Sequence, residues 1–362
     1  LDVVSRELVG FIPASTINAT ANGVAQGQSL RIPVTPTNTV EDVVAGSSAP
    51  SANFQEIGNV EVKITNFKRS KISWIGEEQL GLGGMASPIM RDQYIQMMRS
   101  IVNAMEKDIA AEVVKSSLLN GSYVGTAGTT PFASNLDALT AARKVLTDKG
   151  APTTDLEFIM NTTSGMKMRN LTQLQKVNEG GDNTLLRQGL LGNLFGFNIR
   201  ESAGLVDTKP TASGYLANGG ASSGDKSITV DSGTGAIPAG TIVSFGSATD
   251  QYVVAEDVAT GGTTIKLVTG LKANVADNAA VNILSNTPNV GFARGSVLLA
   301  TRLPAVPMGG DLAIDRTVIT DPLSGISFEV ALWGGAYQNT ITIASAWGAK
   351  TIKADHTVAM LG

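Results

Sequence analysis

The sequence predicts an α+β fold, and three observations carry the prediction. One is an uninterrupted helical pattern from Ser87 to about Leu119. A second is period-two alternation of apolar and polar residues in stretches on both sides of that helix. The third is a glycine-rich, weakly charged tract from about Ser213 to Ser285, in which helix signals vanish. The 362 residues include 40 glycines and only 5% aromatics, a mix that suits many turns and close contacts. This length allows two or three domains.

The chain opens with a short apolar and charged run, then small polar residues to Asn22, as an arm that packs on something else would. Leu30–Val34 reads as a strand, and Pro33 and Pro36 put it at an edge because proline cannot donate to a ladder. A long excursion follows from Asn38 to Ile75. It leaves through Val40, Val43 and Val44 and turns among the small residues Gly46–Ala52. On the return, Val60, Val62 and Ile64 face one way, with Glu61, Lys63 and Thr65 opposite, and Ile72 and Trp74 continue the pattern. A two-stranded ribbon cannot bury its apolar face alone, so it must lie on its own domain or on a neighbouring subunit.

The long helix begins with Ser87 and Pro88, a capping hydroxyl followed by a residue whose fixed φ suits a first turn. Met90, Tyr94, Met97, Ile101, Met105, Ile109 and Val113 recur three and four apart and share one face. Arg91, Arg99, Glu106, Lys107, Glu112 and Lys115 fill the others. At about 1.5 Å per residue the helix spans roughly 45–50 Å, about three times the ordinary length.

An α/β portion comes next. Ser134 or Asn135 caps a helix with Leu136, Leu139, Ala142, Val145 and Leu146 on one face, and Gly150 ends it. Leu156–Met160 is a strand, and Asn161 leads into a short helix. The polar loop Gly180–Thr184 lacks the lysine and preceding strand of a phosphate-cradling loop. Within the glycine-rich tract, Ile228–Val230, Thr241–Phe245, Tyr252–Val254, Thr264–Leu267 and Val281–Ile283 read as short strands of a small barrel or sandwich. Ile228…Phe245 faintly echoes Ile265…Ile283. Asn289–Pro304 reads as one continuous apolar strand or a turn of helix. Leu312–Ile319, Ile326–Val330 and Tyr337–Ala346 then read as strands, and Lys350–Leu361 ends the chain.

Little in the sequence carries chemistry. The net charge of −4 and the lack of a Lys/Arg block argue against sequence-reading nucleic-acid binding. There is no cysteine, and no apolar run long enough to span a bilayer, so no membrane partner is expected. His356 is the single histidine and has no marked nucleophile to serve, so no catalytic residue is expected. The carboxylates of Gly180–Asn183 and Glu256–Asp257 lack the spacing of a calcium loop, so neither metal nor cofactor is expected. The one basic patch, Lys68, Arg69 and Lys71, is either a solvated strand face or a salt-bridge contact to another subunit.

The order of these parts resembles the major capsid (coat) proteins of tailed bacteriophages with the Hong Kong 97-type fold. It is most similar to those of short-tailed phages whose subunit carries an inserted β-domain. Asn59–Leu80 (NVEVKITNFKRSKISWIGEEQL) resembles the family's passage from extended loop to spine helix. Asn289–Pro304 resembles its return after the insertion, and Asp321–Gly325 its C-terminal portion. The resemblance implies an N-terminal arm (1–37), an extended β-loop (38–75) and a peripheral domain (76–134 plus 305–362) with the spine helix at 87–119. It also implies an axial domain (135–212 plus 286–304) and an inserted all-β domain (213–285).

The function so implied is a non-enzymatic subunit that self-assembles as hexamers and pentamers into an icosahedral phage head around double-stranded DNA. The DNA would be touched without sequence preference. Scaffolding and portal proteins would be assembly partners, with assembly in the host cytoplasm and the virion as destination. Val60, Val62, Ile64 and Trp74 would contact the adjacent subunit, as would Lys68, Arg69 and Lys71 through charge. Asp182 and Asn183 would lie near the capsomer axis. Lys68, Lys71 and Asn339 are present, but no convergence on a carboxylate is evident, so covalent cross-linking is not predicted. The alternative is the shell protein of a bacterial encapsulating compartment with the same fold, against which the inserted β-domain argues. A secreted adhesin does not explain the charged long helix, and a hydrolase lacks its nucleophile.

Overall fold

The computed structural model describes residues 10–35, 40, 42, 46, 57–83, 86–176 and 191–362. The long helix runs Ala86–Leu119, one residue longer at its start than the Ser-Pro signal indicates. Met97, Ile101, Met105, Ile109 and Val113 are all buried, as their spacing requires. Phe328, Ile343 and Trp347 of one sheet join this core, and so do Ile159, Val290 and Phe292 of another, so one helix face serves both sheets.

The first of these, the long sheet, has the order Thr16–Val24, Val297–Pro304, Gln338–Thr351, Ser327–Gly335, Ala313–Thr320, and Asn66–Ile75 also pairs with the central strand. That central strand, Gln338–Thr351, is 14 residues long and holds Val297–Pro304 and Ser327–Gly335 end to end along one side and Asn66–Ile75 along the other. Thr16–Val24 lies in the stretch expected as an arm that packs on something else, and what it packs on is this chain's own sheet. The strand pairs in parallel with Val297–Pro304 through its backbone, which needs no apolar side chains.

The second, the compact sheet, runs Tyr123–Gly125, Thr357–Leu361, Asn289–Ala293, Leu156–Met160, Phe197–Glu201, Asn193–Leu194. Its three central strands are buried at every position, because both faces are covered. Phe158, Met160, Val358 and Met360 meet the helix Asp137–Asp148 and the helix Thr162–Arg169, while Ile159 and Val290 meet the long helix.

The sheets divide the chain differently from the expected boundaries. Asn289–Pro304 is not one element: Arg294–Ser296 makes a 3₁₀ turn, and the strands on either side enter different sheets. Val297–Pro304, expected on the axial unit, belongs to the long sheet, while Tyr123–Gly125 and Thr357–Leu361, expected on the peripheral unit, belong to the compact one. The chain recrosses between the sheets at Ile352–His356, where the Ile352 N–H donates to the Ser296 carbonyl at 2.8 Å.

Residues 208–286 leave and return at a single point, where Thr208 and Asn286 exchange backbone hydrogen bonds of 2.9 and 3.1 Å. Between them lie two three-stranded sheets. One is Leu216–Ala217, Ser227–Asp231 and Thr264–Lys266; the other is Tyr252–Val253, Ile242–Phe245 and Val281–Leu284. They enclose an apolar cluster of their own, with Tyr215, Ile228, Val243, Phe245 and Ile265. The echoed segments are each other's partners: Ile228 pairs with Ile265, and Val243 with Ile283.

Candidate functional site

The most constrained polar site is built on the long helix at Glu106. This carboxylate sits among the helix's apolar residues and is 0% exposed. Its Oε1 accepts the Phe11 N–H at 2.7 Å and the Ser202 hydroxyl at 2.7 Å, and its Oε2 accepts the Ile12 N–H at 3.0 Å. The Gly10 N–H adds a further bond. The Phe11 ring stacks on Phe292, with centroids 6.0 Å apart. A Cβ on residue 10 would stand 2.7 Å from the Ser202 Cβ, so only glycine fits there. Burial pushes the Glu106 carboxyl above its usual range, and its four hydrogen bonds pull it back only in part. Glu106 thus fastens the start of the described chain to the long helix through backbone amides that would otherwise be buried without acceptors. The sequence puts Glu106 among the charged residues off the apolar face, yet it is fully buried. Its partners lie 94 to 96 positions away, and nothing local marks it.

The expected contact residues fall into three groups. Val62 is buried against Leu298 and Ala300, Ile64 against Val24 and Ala346, and Trp74 is also buried. Their side chains are spent within the chain, which corrects the expectation that they cover an adjacent subunit. The cause is the hairpin formed by Ser29–Val34 and Gly58–Lys63, which folds onto its own long sheet. Gly348 permits this approach, since a Cβ there would lie 2.1 Å from the Lys63 carbonyl oxygen. Val60, paired with Ile32 in that hairpin, is half-buried.

Lys68 is likewise engaged internally. Its ammonium meets Asp108 at 3.3 Å and sits 5.1 Å from the Trp347 ring centroid, while the Trp347 indole N–H donates to the same carboxylate at 2.9 Å. Arg69 and Lys71 are exposed and have no ion-pair partner among the described residues. Asp182 and Asn183 lie outside the described residues, as do Val43 and Val44 of the excursion.

A second feature, not visible in the apolar pattern, is the far end of the long sheet. The helix Gly76–Leu82 buries none of its side chains and leaves Leu80 85% exposed. Beside it the turn between Ser327–Gly335 and Gln338–Thr351 carries Tyr337, 94% exposed and at φ +56°. Its carbonyl accepts the Gly76 N–H at 3.2 Å. The sequence signal for that turn is Gly334-Gly335 between two alternating runs.

His356 is half-buried, and burial and Lys353 hold its pKa below the usual range. No hydroxyl is hydrogen-bonded to its ring among the described residues. Among the described residues no cluster of three or more His, Cys, Asp or Glu could hold a metal ion, and no helix is long and apolar enough to cross a membrane. A cleft of about 590 Å³ separates the long helix from residues 208–286, floored by Val114, Leu118, Ile242 and Leu284. The carboxylate at its edge, Asp108, is already held by Lys68 and Trp347.

No protein-family model matches this sequence, and no curated protein does. Solved structures do match along the whole chain. The capsid of the cyanophage P-SCSP1u aligns at a TM-score of 0.53 and 13% identity, covering 99% of this chain and 89% of that one. The mature capsid of bacteriophage PhiM1 aligns at 0.52 and 12% identity, with the same coverage of 99% and 89%. The capsid of a native GTA particle aligns at 0.52 and 10% identity, covering 100% of this chain and 92% of that one. The chain has the mixed α+β fold of phage capsid proteins.

Proposed function

We propose that this chain is a structural subunit that self-assembles as hexamers and pentamers into a closed icosahedral shell around double-stranded DNA. The observation that carries the reading is the whole-length agreement of fold with chains of assembled phage capsids. The shape of the subunit supports it. A long helix and a long sheet form a thin arm whose far end buries nothing of its own, as in a part made to be covered. Within this reading the Hong Kong 97-type parts follow. The long helix is the spine, the compact sheet and its helices form the axial domain, and residues 208–286 are the inserted β-domain on the outer surface. The role is mechanical rather than enzymatic, and scaffolding and portal proteins are the assembly partners. Asp182 and Asn183 belong near the capsomer axis.

The test is negative-stain electron microscopy with light scattering, on the protein alone and co-expressed with its neighbouring genes. Closed shells or capsomer rings are the expected result, and nuclease-protected DNA inside them distinguishes a phage head from a protein-storing compartment. A monomer under every condition overturns the reading.

A further inference from the structure

On the strand Asn66–Ile75, Arg69 and Lys71 have no ion-pair partner among the described residues, and they have a counterpart further along the same chain. Side chains alternate across a strand, so Lys68, which meets Asp108 on the long helix, puts Arg69 and Lys71 on the opposite face of the sheet. They stand across from Ala344 and Thr342. Trp333, whose indole N–H donates to the Thr342 hydroxyl at 2.8 Å, lies on this face as an apolar plate beside the two cations. Just past the end of the strand, the helix Gly76–Leu82 carries Glu77 and Glu78 in its first turn. Both are exposed, and neither makes an ion pair among the described residues.

The basic and acidic pairs do not meet within one copy. Four residues of strand separate Lys71 from Ile75, roughly 13 Å at 3.3 Å per residue, and this exceeds the screening length of about 8 Å at physiological salt. The acidic pair is set in an apolar surround of Ile75, Leu80 and Tyr337, all of them exposed. Tyr337 holds a left-handed backbone conformation that is unfavourable for a bulky residue, yet its ring contributes no burial to this chain. A partner for this tip must offer cations beside apolar surface. The face bearing Arg69, Lys71 and Trp333 offers both.

We propose that the tip of one copy, Gly76–Leu82 with Tyr337, docks on the Arg69/Lys71 sheet face of a second copy. Glu77 and Glu78 then pair with the two cations, and Leu80 and Tyr337 are covered. The contact is heterologous, one patch against a different patch, so it closes into a ring when its rotation divides a full turn. The inference rests on the shell reading above and names one of the interfaces that would hold the shell.

Charge reversal tests it, with assembly yield read by sedimentation and electron microscopy and folding checked by circular dichroism. Glu77→Lys with Glu78→Lys, and separately Arg69→Glu with Lys71→Glu, should each lower particle yield about tenfold or more by setting like charges face to face. Combining all four substitutions should restore it. Wild-type shells with undiminished yield from both double variants, or losses that the combination does not restore, overturn the contact and leave the shell reading standing. A wild type that never assembles overturns both. Should a reversed variant misfold, cysteine cross-linking decides, since the chain has no cysteine of its own. Copies with Lys71→Cys mixed with copies carrying Glu77→Cys should form a disulfide-linked dimer on oxidation. Absence of that dimer in assembled material overturns the proposal.

Discussion

Two regions of the molecule meet opposite conditions. Around Glu106 every polar group is answered: a buried carboxylate takes three backbone amides and a hydroxyl, and apolar residues from two sheets close over it. At the far end of the long sheet, Gly76–Leu82 and Tyr337 leave apolar side chains exposed, and Glu77 and Glu78 have no ion-pair partner among the described residues. The first region is complete within one chain and the second is not. Substitutions at the first should therefore act on folding, and substitutions at the second on association.

The largest effect is expected from Glu106→Ala. It strands the Phe11 and Ile12 amides without acceptors and opens a cavity, for a loss of about 3 kcal/mol in unfolding free energy, measured by urea denaturation of the unassembled subunit. A loss under about 1 kcal/mol would mean that the site is not an anchor. Gly10→Ala comes next at about 1–2 kcal/mol, because the new methyl overlaps Ser202. Limited proteolysis should then cut the chain before Thr16 faster than in the wild type. At the tip the sign reverses. Tyr337→Gly relieves a left-handed backbone and should raise subunit stability by up to about 1 kcal/mol, while particle yield falls. A stability loss there would dissolve the contrast between the two regions.

The smallest effect is a pH dependence. The Glu106 carboxyl is raised by burial, so the native state holds its proton more tightly than the unfolded chain does. Its contribution to stability is full below the unfolded carboxyl's pKa of about 4.3 and is lost as pH rises through the higher native value. The wild type should show this decline and Glu106→Gln should not, in denaturation midpoints taken from about pH 4 to 7. Parallel curves would mean that the burial of Glu106 costs the native state nothing.

The contrast also separates what was legible in the sequence from what was not. The long helix is legible because Met97, Ile101, Met105, Ile109 and Val113 hold their spacing without a glycine or proline among them. The alternation of Val62, Ile64, Ile72 and Trp74 reveals which side chains are buried, but not that the covering surface is the chain's own sheet. Thr16–Val24 escapes because a parallel pairing through backbone groups leaves no apolar stripe to read. The run from Asn289 to Pro304 is apolar throughout, and Arg294-Gly295-Ser296 is the only mark of the change of sheet within it. Glu106 is invisible for a different reason: a carboxylate on a helix is usually solvated, and its partners come from distant parts of the chain. The tip is legible only as acidic residues beside leucine, in Gly76–Leu82, with no hint that the chain leaves them uncovered.

The double crossing between the sheets has a mechanical consequence. Arg294–Ser296 and Ile352–His356 join the two sheets side by side, tied to each other at Ile352 and Ser296. Plates joined by two short adjacent links resist stretching and sliding, because either motion would strain a fixed covalent length. Bending about the line through the links is opposed by the long helix, whose one apolar face packs on both sheets. The angle between the sheets is therefore held by packing along the helix, and a change of curvature would have to repack that face.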